Sequence, residues 1–278
     1  MIKNGLVFGN GWLGGKIANK FGYDLVGREV NPLNFDNLVS FLDKENPPLV
    51  INAIGKTGRP NIDWCEDNKE QTIESNVVAA INLCTECSKR NIYFVHISSG
   101  CIYRGDNDGE GFREDDAPNF YGPQFYAKTK ILAEKVLKEF SSLILRIRMP
   151  IDNYSHERNL IDKLLKYDRV IDTQNSMTTI PRMLDILGEL VKRRKIGIYN
   201  MVNPGTISAK EIMEMYKEIV DSKYNFEVLE IDKLDQITKG KRSNCVLNTD
   251  KLEKEGLSFP EIHMAVKECL LKYKRGGE

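Results

Sequence analysis

The chain has 278 residues, 41% hydrophobic and 29% charged, with 40 basic residues balanced by 40 acidic ones. That length suits one large domain or two smaller ones with ample core, and zero net charge leaves no electrostatic footprint for nucleic acid. No apolar run approaches the ~20 residues that cross a bilayer and the N-terminus lacks a secretory layout, so the expected setting is cytoplasmic, with neither membrane nor nucleic acid as partner.

Gly5-Leu6-Val7-Phe8 reads as a buried strand, and Gly9-Asn10-Gly11-Trp12-Leu13-Gly14 follows it and opens a helix. Gly9, Gly11 and Gly14 fit G-x-G-x-x-G. The first glycine permits a tight turn, the second lets the backbone approach a pyrophosphate, and the third lets helix and strand pack closely. The helix N-terminus aims N–H groups at the phosphates. Residues 9–14 are therefore the expected dinucleotide contacts. Glycines also gather in ordinary turns; the strand before and the helix after favour the dinucleotide site. Tyr23–Val26 is the expected second strand. Arg28 lies just past its end, where such folds read the adenosine ribose. An acidic residue there favours NAD, and an arginine favours the extra phosphate of NADP. Glu29 is adjacent, so the expectation is NADPH with NADH as alternative, against a plain surface Arg.

Pro48–Ala53 is a third apolar strand, with the glycine-rich Gly55-Lys56-Thr57-Gly58-Arg59-Pro60 at its C-terminal edge. Ligands bind at such edges in open parallel sheets. Asn61-Ile62-Asp63-Trp64-Cys65-Glu66 then reads as a helix cap with a packed Trp. Asn76–Arg90 has helical periodicity and carries Cys84-Thr85-Glu86-Cys87, the single C-x-x-C among six cysteines. With no second pair to complete a zinc site, small residues on a helix face are favoured over metal or redox chemistry. His96, His156 and His263 are scattered, so no metal is expected. Ile92–Ile97 is a fourth strand ending in Ser98-Ser99-Gly100-Cys101-Ile102-Tyr103. A polar loop spans Gly105–Pro123, and a helix from about Gln124 carries Phe125-Tyr126-Ala127-Lys128-Thr129-Lys130. Leu143–Arg148 is a fifth strand closing in Met149-Pro150.

The alternation loosens after Pro150. Pro181 suits the first turn of a helix to about Arg194, and Ile198–Met201 reads as a strand. Ser208-Ala209-Lys210-Glu211 is a capping box opening a helix to about Asp221. A last helix covers roughly Pro260–Tyr273. The expected fold is α/β: a Rossmann-type doubly wound parallel sheet with a smaller C-terminal α/β substrate domain. Residues 1–150 form the dinucleotide-binding domain and 151–278 the substrate domain, with a segment around 172–200 a candidate to return to the first.

Ser99, Tyr126 and Lys130 carry the expected chemistry. A free phenol has a pKa of about 10. A lysine ammonium one helical turn away favours the phenolate, and a serine hydroxyl can hold a substrate oxygen. Together they can protonate a carbonyl oxygen while hydride arrives at carbon. Y-x-x-x-K alone is a common accident on exposed helices; the glycine motif upstream and the serine-rich strand end between them disfavour accident here.

At these residues the chain resembles the extended short-chain dehydrogenase/reductase family. Longer blocks narrow the resemblance: Asn52-Ala53, residues 58–66, Gly100-Cys101-Ile102, residues 125–130, Arg146-Ile147-Arg148-Met149-Pro150, Asn175-Ser176-Met177-Thr178, Gly197-Ile198-Tyr199-Asn200, Asn203-Pro204-Gly205 and Arg242-Ser243-Asn244. They are similar to plant-type nucleotide-rhamnose synthase epimerase/reductases; the bacterial dTDP-4-dehydrorhamnose reductases, which only reduce, are more distant. The resemblance implies UDP-4-dehydro-6-deoxy-glucose as substrate, 3,5-epimerisation, and 4-reduction with NADPH to UDP-L-rhamnose. It also implies that Asn52, Ala53 and Met149 join the cofactor contacts, and that Cys101 works with Lys163 in epimerisation, with His156 a nearby competitor. A thiol, ordinarily of pKa near 8.5, can serve as base or acid. Without the resemblance, Cys101 reads as a small buried residue and Lys163 as a solvated charge.

Arg242 is the expected anchor for the nucleotide diphosphate, since Arg offers bidentate contacts to phosphate. Asn175 and Ser176 are expected to face nucleotide or sugar, and Arg59 and Asp63 to reach the sugar. A separate 4,6-dehydratase is expected to make the substrate. The faces of the helices at Asn76–Arg90 and Gln124–Phe140 suit either a homodimer, common among such relatives, or intrachain core. Two other functions compete: a 4-reductase without epimerisation, and a non-catalytic NAD(P)-binding regulatory subunit.

Overall fold

The computed structural model describes residues 4–59, 61–122 and 124–275, so Pro60 and Pro123 of the blocks above lie outside the described residues. The chain forms two compact units. Unit 1 comprises Met1–Ile102, Phe120–Arg146 and Leu187–Tyr199; unit 2 comprises Tyr103–Asn119, Ile147–Ile186 and Asn200–Glu278. The chain therefore crosses the boundary at residue 150 in two further places, the second inside the segment around 172–200 marked as a candidate to return. Residues 103–119 join unit 2 because Gly105 and Phe112 donate backbone hydrogen bonds to Asn244 and Val246, both at 2.9 Å. Residues 187–199 return to unit 1, where Tyr93 donates its hydroxyl to the Lys195 carbonyl.

In unit 1, β1 (Leu6–Phe8), α1 (Trp12–Phe21), β2 (Asp24–Val26), α2 (Phe35–Glu45) and β3 (Leu49–Asn52) come first. Then follow α3 (Trp64–Asp67), α4 (Lys69–Ile73), a π-helical turn at Glu74–Val78, α5 (Ala79–Lys89), β4 (Tyr93–Ser99), α6 (Phe125–Leu137) and β5 (Ser142–Ile147). β1, β3 and β4 are buried along their whole length. Continuous apolar runs, rather than alternating ones, are what a sheet covered on both faces requires. In the registers, Leu6 faces Asp24 of β2 and Val50 of β3, and Ile51 faces Val95 of β4, all in parallel pairs. After unit 2's α7 (Leu160–Leu164) and β6 (Arg169–Ile171), α8 (Ile180–Lys192) leads to β7 (Gly197–Asn200), the edge of a six-stranded sheet ordered β2-β1-β3-β4-β5-β7. From β1 the chain builds outward to β2 and then crosses to β3. The strand order thus reverses at the carboxyl ends of β1 and β3, where a doubly wound sheet binds its ligand.

The unit 1 core contains Phe8, Leu38, Leu42, Val50, Leu83, Cys84, Cys87, Ala133 and Leu137. The C-x-x-C pair is therefore packing. Burial pushes the Cys84 thiol up to about 12, and that of Cys87 up as well. The inward faces of α5 and α6 are intrachain core, while Ile73, Val78, Leu132 and Val136 remain exposed.

Unit 2 is completed by α9 (Ala209–Ile219), β8 (Glu227–Leu229), α10 (Ile231–Ile237), α11 (Asp250–Lys254) and α12 (Ile262–Arg275). β6 and β8 form a two-stranded parallel sheet. Ile161, Val170, Met177, Ile212, Ile262 and Leu270 share its core. α9 opens with the complete capping box: Glu211 N donates to Ser208 Oγ at 3.1 Å and Ser208 N to Glu211 Oε2 at 2.7 Å. Among the described residues, no helix is long and apolar enough to cross a membrane.

Candidate active site

The glycine turn shows three separate reasons for its three glycines. Gly9 has φ +107°, and a Cβ there would lie 2.8 Å from the Ala53 carbonyl carbon, so β1 can turn against the end of β3 with glycine alone. A Cβ on Gly14 would sit 1.9 Å from the Gly9 carbonyl oxygen, which is the close helix–strand approach expected of the third position. A Cβ on Gly11 would meet nothing within 4 Å. Gly11 is the N-cap of α1; it supplies no side-chain cap, and the first turn carries no acidic residue. An α-helix start without a cap or carboxylate, reached through open space over a glycine, fits an anionic diphosphate. Arg28 is exposed two residues beyond β2. Its neighbour Glu29 folds back, accepting a 2.7 Å hydrogen bond from Gly27 N, and backbone hydrogen bonds hold its carboxyl below the usual range.

At the other side of the switch point, Asn52 is fully buried at the end of β3. Its Oδ1 accepts from Ile54 N at 2.9 Å, and its Nδ2 donates to His96 Nδ1 at 3.1 Å. Burial, reinforced by the charge of Lys130, holds His96 well below its ordinary value, so the ring is neutral with its proton on Nε2. The strand-end amide thereby shapes the backbone at Ala53 and Ile54. Asn76, on the π-helical turn, clamps the next loop: its Oδ1 accepts from Lys56 N at 2.7 Å, and its Nδ2 donates to Lys56 O and to Thr129 Oγ1, both at 3.1 Å. A Cβ on Gly55 would lie 3.7 Å from Lys130 Nζ, so this clamped loop passes beside the lysine.

Ser99 and Cys101 leave β4 beside the same lysine. Ser99 is 5% exposed, and its Oγ accepts from Cys101 N at 3.1 Å. That bond turns the serine's own proton toward another acceptor. Cys101 is half-buried, whereas the other five cysteines are buried. Tyr126 and Lys130, one turn apart on α6, are 7% and 4% exposed. Lys130 Nζ donates to Ile97 O at 3.4 Å. Burial pushes its ammonium down to about 8, while Cys101 and Glu134 pull the other way. One turn further on, Glu134 makes a buried bidentate pair with Arg146, at 3.0 Å to Nε and 2.6 Å to Nη2. Breaking such a pair leaves an uncompensated buried charge, at a cost of about 3–5 kcal/mol. Unit 1 therefore gathers Gly9–Gly14, Asn52, Ala53, Ser99, Cys101 and Lys130 around the β1, β3 and β4 carboxyl ends, with Tyr126 one helical turn before Lys130 on α6. Arg59 is exposed and Asp63 half-buried on the segment leading into α3.

Unit 2 holds the remaining expected residues. Met149 takes φ +35°, a left-handed backbone rare for a side chain of its size. Its neighbour Arg148 is 1% exposed and acts as a hub. Arg148 Nη2 donates to Asn175 Oδ1 at 2.5 Å and to Ser243 O at 2.9 Å, and Nη1 donates to Ser243 Oγ at 2.9 Å. Asn175 Oδ1 also accepts from Cys245 N at 3.0 Å, and Ser176 Oγ from Leu247 N at 2.9 Å. Both side chains, expected to face nucleotide or sugar, are buried and bonded within unit 2. Their visible effect is to fix the segment after Arg242, whose own Nη1 donates to Gly240 O at 2.8 Å. Lys163 is half-buried on α7, which Asn159 caps through a 3.3 Å bond from Ile161 N. His156 Nδ1 accepts from Arg158 N at 3.0 Å.

Sequence reasoning missed Asn76, Glu134, Arg146 and the hub role of Arg148. Glu134 does fall four residues after Lys130 on the helix face already identified, so the spacing could have flagged it. The clamp by Asn76 depends on a π-helical turn that residue periodicity does not announce.

The family model described as the RmlD substrate binding domain matches residues 6–275. A bifunctional dTDP-4-dehydrorhamnose 3,5-epimerase/dTDP-4-dehydrorhamnose reductase of Arabidopsis thaliana is 37% identical over 281 residues, covering 97% of this chain and 92% of that protein. A trifunctional UDP-glucose 4,6-dehydratase/UDP-4-keto-6-deoxy-D-glucose 3,5-epimerase/UDP-4-keto-L-rhamnose-reductase of the same plant is 38% identical, and the chain spans 41% of its length and 96% of its own. Among solved structures, the L780 UDP-rhamnose synthase of Acanthamoeba polyphaga mimivirus superposes with a TM-score of 0.91 at 30% identity, covering 97% of this chain and 99% of that one.

Proposed function

The chain belongs to the RmlD substrate binding domain family, among its nucleotide-rhamnose reductases and epimerases; from that premise we propose that it converts UDP-4-dehydro-6-deoxy-D-glucose to UDP-L-rhamnose, inverting C3 and C5 and reducing C4 with NADPH. The observation that carries this reading is the placement of buried Ser99, half-buried Cys101 and buried Lys130 at one end of the unit 1 sheet, with Tyr126 one helical turn from Lys130 on α6.

The C4 ketone makes both chemistries available. It acidifies the C–H bonds at C3 and C5, because the enolate places charge on O4. Ser99 directs its hydroxyl proton to O4, and Tyr126 donates a second hydrogen bond there. Inversion needs a base on one face and an acid on the other, and Cys101 and Lys163 fill these roles. Which of them removes the proton and which returns it can differ between C5 and C3. Bound NADPH supplies the hydride that reduces C4. Tyr126 hands its proton to O4 in that step, and the Lys130 ammonium favours the tyrosinate left behind. Residues 9–14 and the α1 N-terminus would hold the cofactor diphosphate, and Arg28 would take the 2′-phosphate while Glu29 is engaged by Gly27. Asn175 and Ser176 act as positioning residues for the 243–247 segment, through Arg148 and the backbone. A 4,6-dehydratase activity outside these 278 residues supplies the ketone.

Incubating the purified chain with UDP-4-dehydro-6-deoxy-glucose and NADPH tests the reading. UDP-L-rhamnose formed without added epimerase is expected by product NMR. A 6-deoxy sugar of uninverted configuration would mean reduction alone, and no NADPH turnover would mean a binding subunit. In the same assay Arg242→Ala raises the KM for the nucleotide sugar about 10- to 100-fold, the worth of charge-assisted hydrogen bonds to phosphate, and leaves the KM for NADPH unchanged. A substrate KM equal to the parent's removes Arg242 from the site.

A further inference from the structure

α6 is a 13-residue helix whose N-cap, Gln124, supplies no side-chain cap. Its first turn nevertheless has a carboxylate partner from elsewhere in the chain: Phe125 N donates to Glu66 Oε1 at 2.6 Å, across 59 residues of sequence. Tyr126 is the next residue. Charge-assisted bonds to a backbone N–H are short and strong, and a carboxylate at a helix N-terminus also favours the macrodipole. The bond therefore fixes the turn that carries the phenol.

The other end of this bond is tied to the loop after β3. Glu66 sits on α3 beside Cys65, whose Sγ lies 3.9 Å from Lys56 O, and Lys56 Nζ stands 5.4 Å from the Trp64 ring centroid. Lys56 is the residue whose backbone Asn76 clamps on both sides. Gly58, with φ +71°, packs under Trp64, where a Cβ would come within 2.5 Å of the Trp64 Cβ. Residues 56–59 and 61–66 are thus a strap braced on both sides, and they carry Arg59 and Asp63.

We propose that Glu66 is a positioning residue for Tyr126: it caps α6 from the strap and so couples the placement of residues 61–66 to the placement of the phenol. The catalytic consequence rests on the reading of the site given above, whereas the cap itself does not. Glu66 touches neither reacting group. It acts by holding the first turn of α6, and displacing a proton donor by as little as ~1 Å can cost on the order of 100-fold in rate.

Three proteins test it: the parent, Glu66→Ala and Glu66→Gln. Gln keeps an Oε1 acceptor for Phe125 N; Ala keeps none. In the absence of substrate, amide hydrogen exchange of a peptide covering residues 125–127 is expected to be at least 10-fold faster in Glu66→Ala than in the parent, with Glu66→Gln close to the parent. With keto sugar and NADPH, kcat of Glu66→Ala is expected to fall about 10- to 100-fold while the KM for NADPH stays put, and Glu66→Gln to recover kcat to within ~3-fold. Unchanged exchange at 125–127 in Glu66→Ala overturns the cap. Faster exchange with parental kcat, or a kcat loss as large in Glu66→Gln as in Glu66→Ala, overturns the positioning role. If the parent itself fails to turn over, the functional reading fails, and the exchange comparison still decides the cap.

Discussion

Cys101→Ala is expected to lose solvent deuterium incorporation at C3 and C5 of the keto sugar by about 10²- to 10⁴-fold, the range that a positioned proton-transfer group supplies. The loss is confined to epimerisation. Cys101 takes part in the structure through its backbone, whose N–H donates to Ser99 Oγ, and alanine keeps that bond. Tyr126 and Lys130 stay in place, so Cys101→Ala still reduces the already inverted 4-keto-rhamnose nucleotide with NADPH at near-parental kcat. That split separates a proton-transfer role from a folding defect. The resemblance points to this thiol among six, and burial is consistent with it, since the other five cysteines are buried. Desolvation pushes Cys84 and Cys269 up to about 12, and Cys65 and Cys87 up as well, so none of these readily forms a thiolate. Cys101 alone is half-buried, and alkylation with iodoacetamide should modify it first and abolish exchange with it. Full deuterium incorporation by Cys101→Ala removes the residue from the mechanism.

Lys130→Met shows the largest effect in the other direction, trading catalysis for stability. Burial brings the folded Lys130 ammonium to about 8 from an ordinary 10.5. A lowered lysine pKa means that the folded state disfavours the charge. Between about pH 8 and 10.5 the unfolded chain holds a proton that the folded chain has released, so parental stability rises with pH across that window. Below pH 8 the cost of burying the charge is complete. A neutral methionine avoids that cost and fills a similar volume, so at pH 7 Lys130→Met unfolds at a higher temperature, by about 1–3 kcal/mol of stability. The advantage shrinks as pH climbs from 8 toward 10.5. Activity moves oppositely. Hydride transfer falls about 10²- to 10³-fold without the ammonium that favours the Tyr126 anion. The parental kcat/KM declines as pH rises through about 8, where Lys130 loses its proton, and Lys130→Met lacks that limb. A parental profile that stays flat to pH 10 contradicts the assignment.

How much of this was visible in the residues depends on whether the signal is local. β1, β3 and β4 are buried throughout and mostly apolar because both sheet faces are covered, and such runs read directly. The glycine turn was legible for the same reason: Gly9 and Gly14 answer steric demands within a few residues or at the next strand end, and Gly11 leaves the space over the helix start open. The capping box at Ser208 and Glu211 is four residues long and formed as read. What escaped is held by distant partners. β6 and β8 are three residues each, largely exposed, and pair across more than 50 residues of sequence, so neither has a periodicity of its own. The departure of 103–119 to unit 2 depends on backbone bonds to remote segments, whereas the return of 187–199 to unit 1 falls within the segment around 172–200 that the sequence had marked.

Within the site, Ser99, Tyr126 and Lys130 stood out because the proposed proton transfer draws on few residue types, Cys101 and Lys163 only through the resemblance, and their supports did not stand out. Asn175 and Ser176 were expected to face nucleotide or sugar, in a block carried by the resemblance, from which their own partners could not be read. In the structure they are buried, and their acceptors serve Arg148, Cys245 and Leu247. A buried arginine such as Arg148 is indistinguishable in sequence from a surface one until its partners are assembled. The same holds for Glu66, whose partner lies 59 residues away.

One experiment bears most directly on the claim that a single polarised ketone serves both reactions. The purified chain is incubated in heavy water with UDP-4-dehydro-6-deoxy-glucose and protiated NADPH, and the product is read by NMR. UDP-L-rhamnose carrying deuterium at C3 and C5 and protium at C4 is the predicted result. Product with protium retained at C3 and C5, in the unreversed configuration, would contradict it.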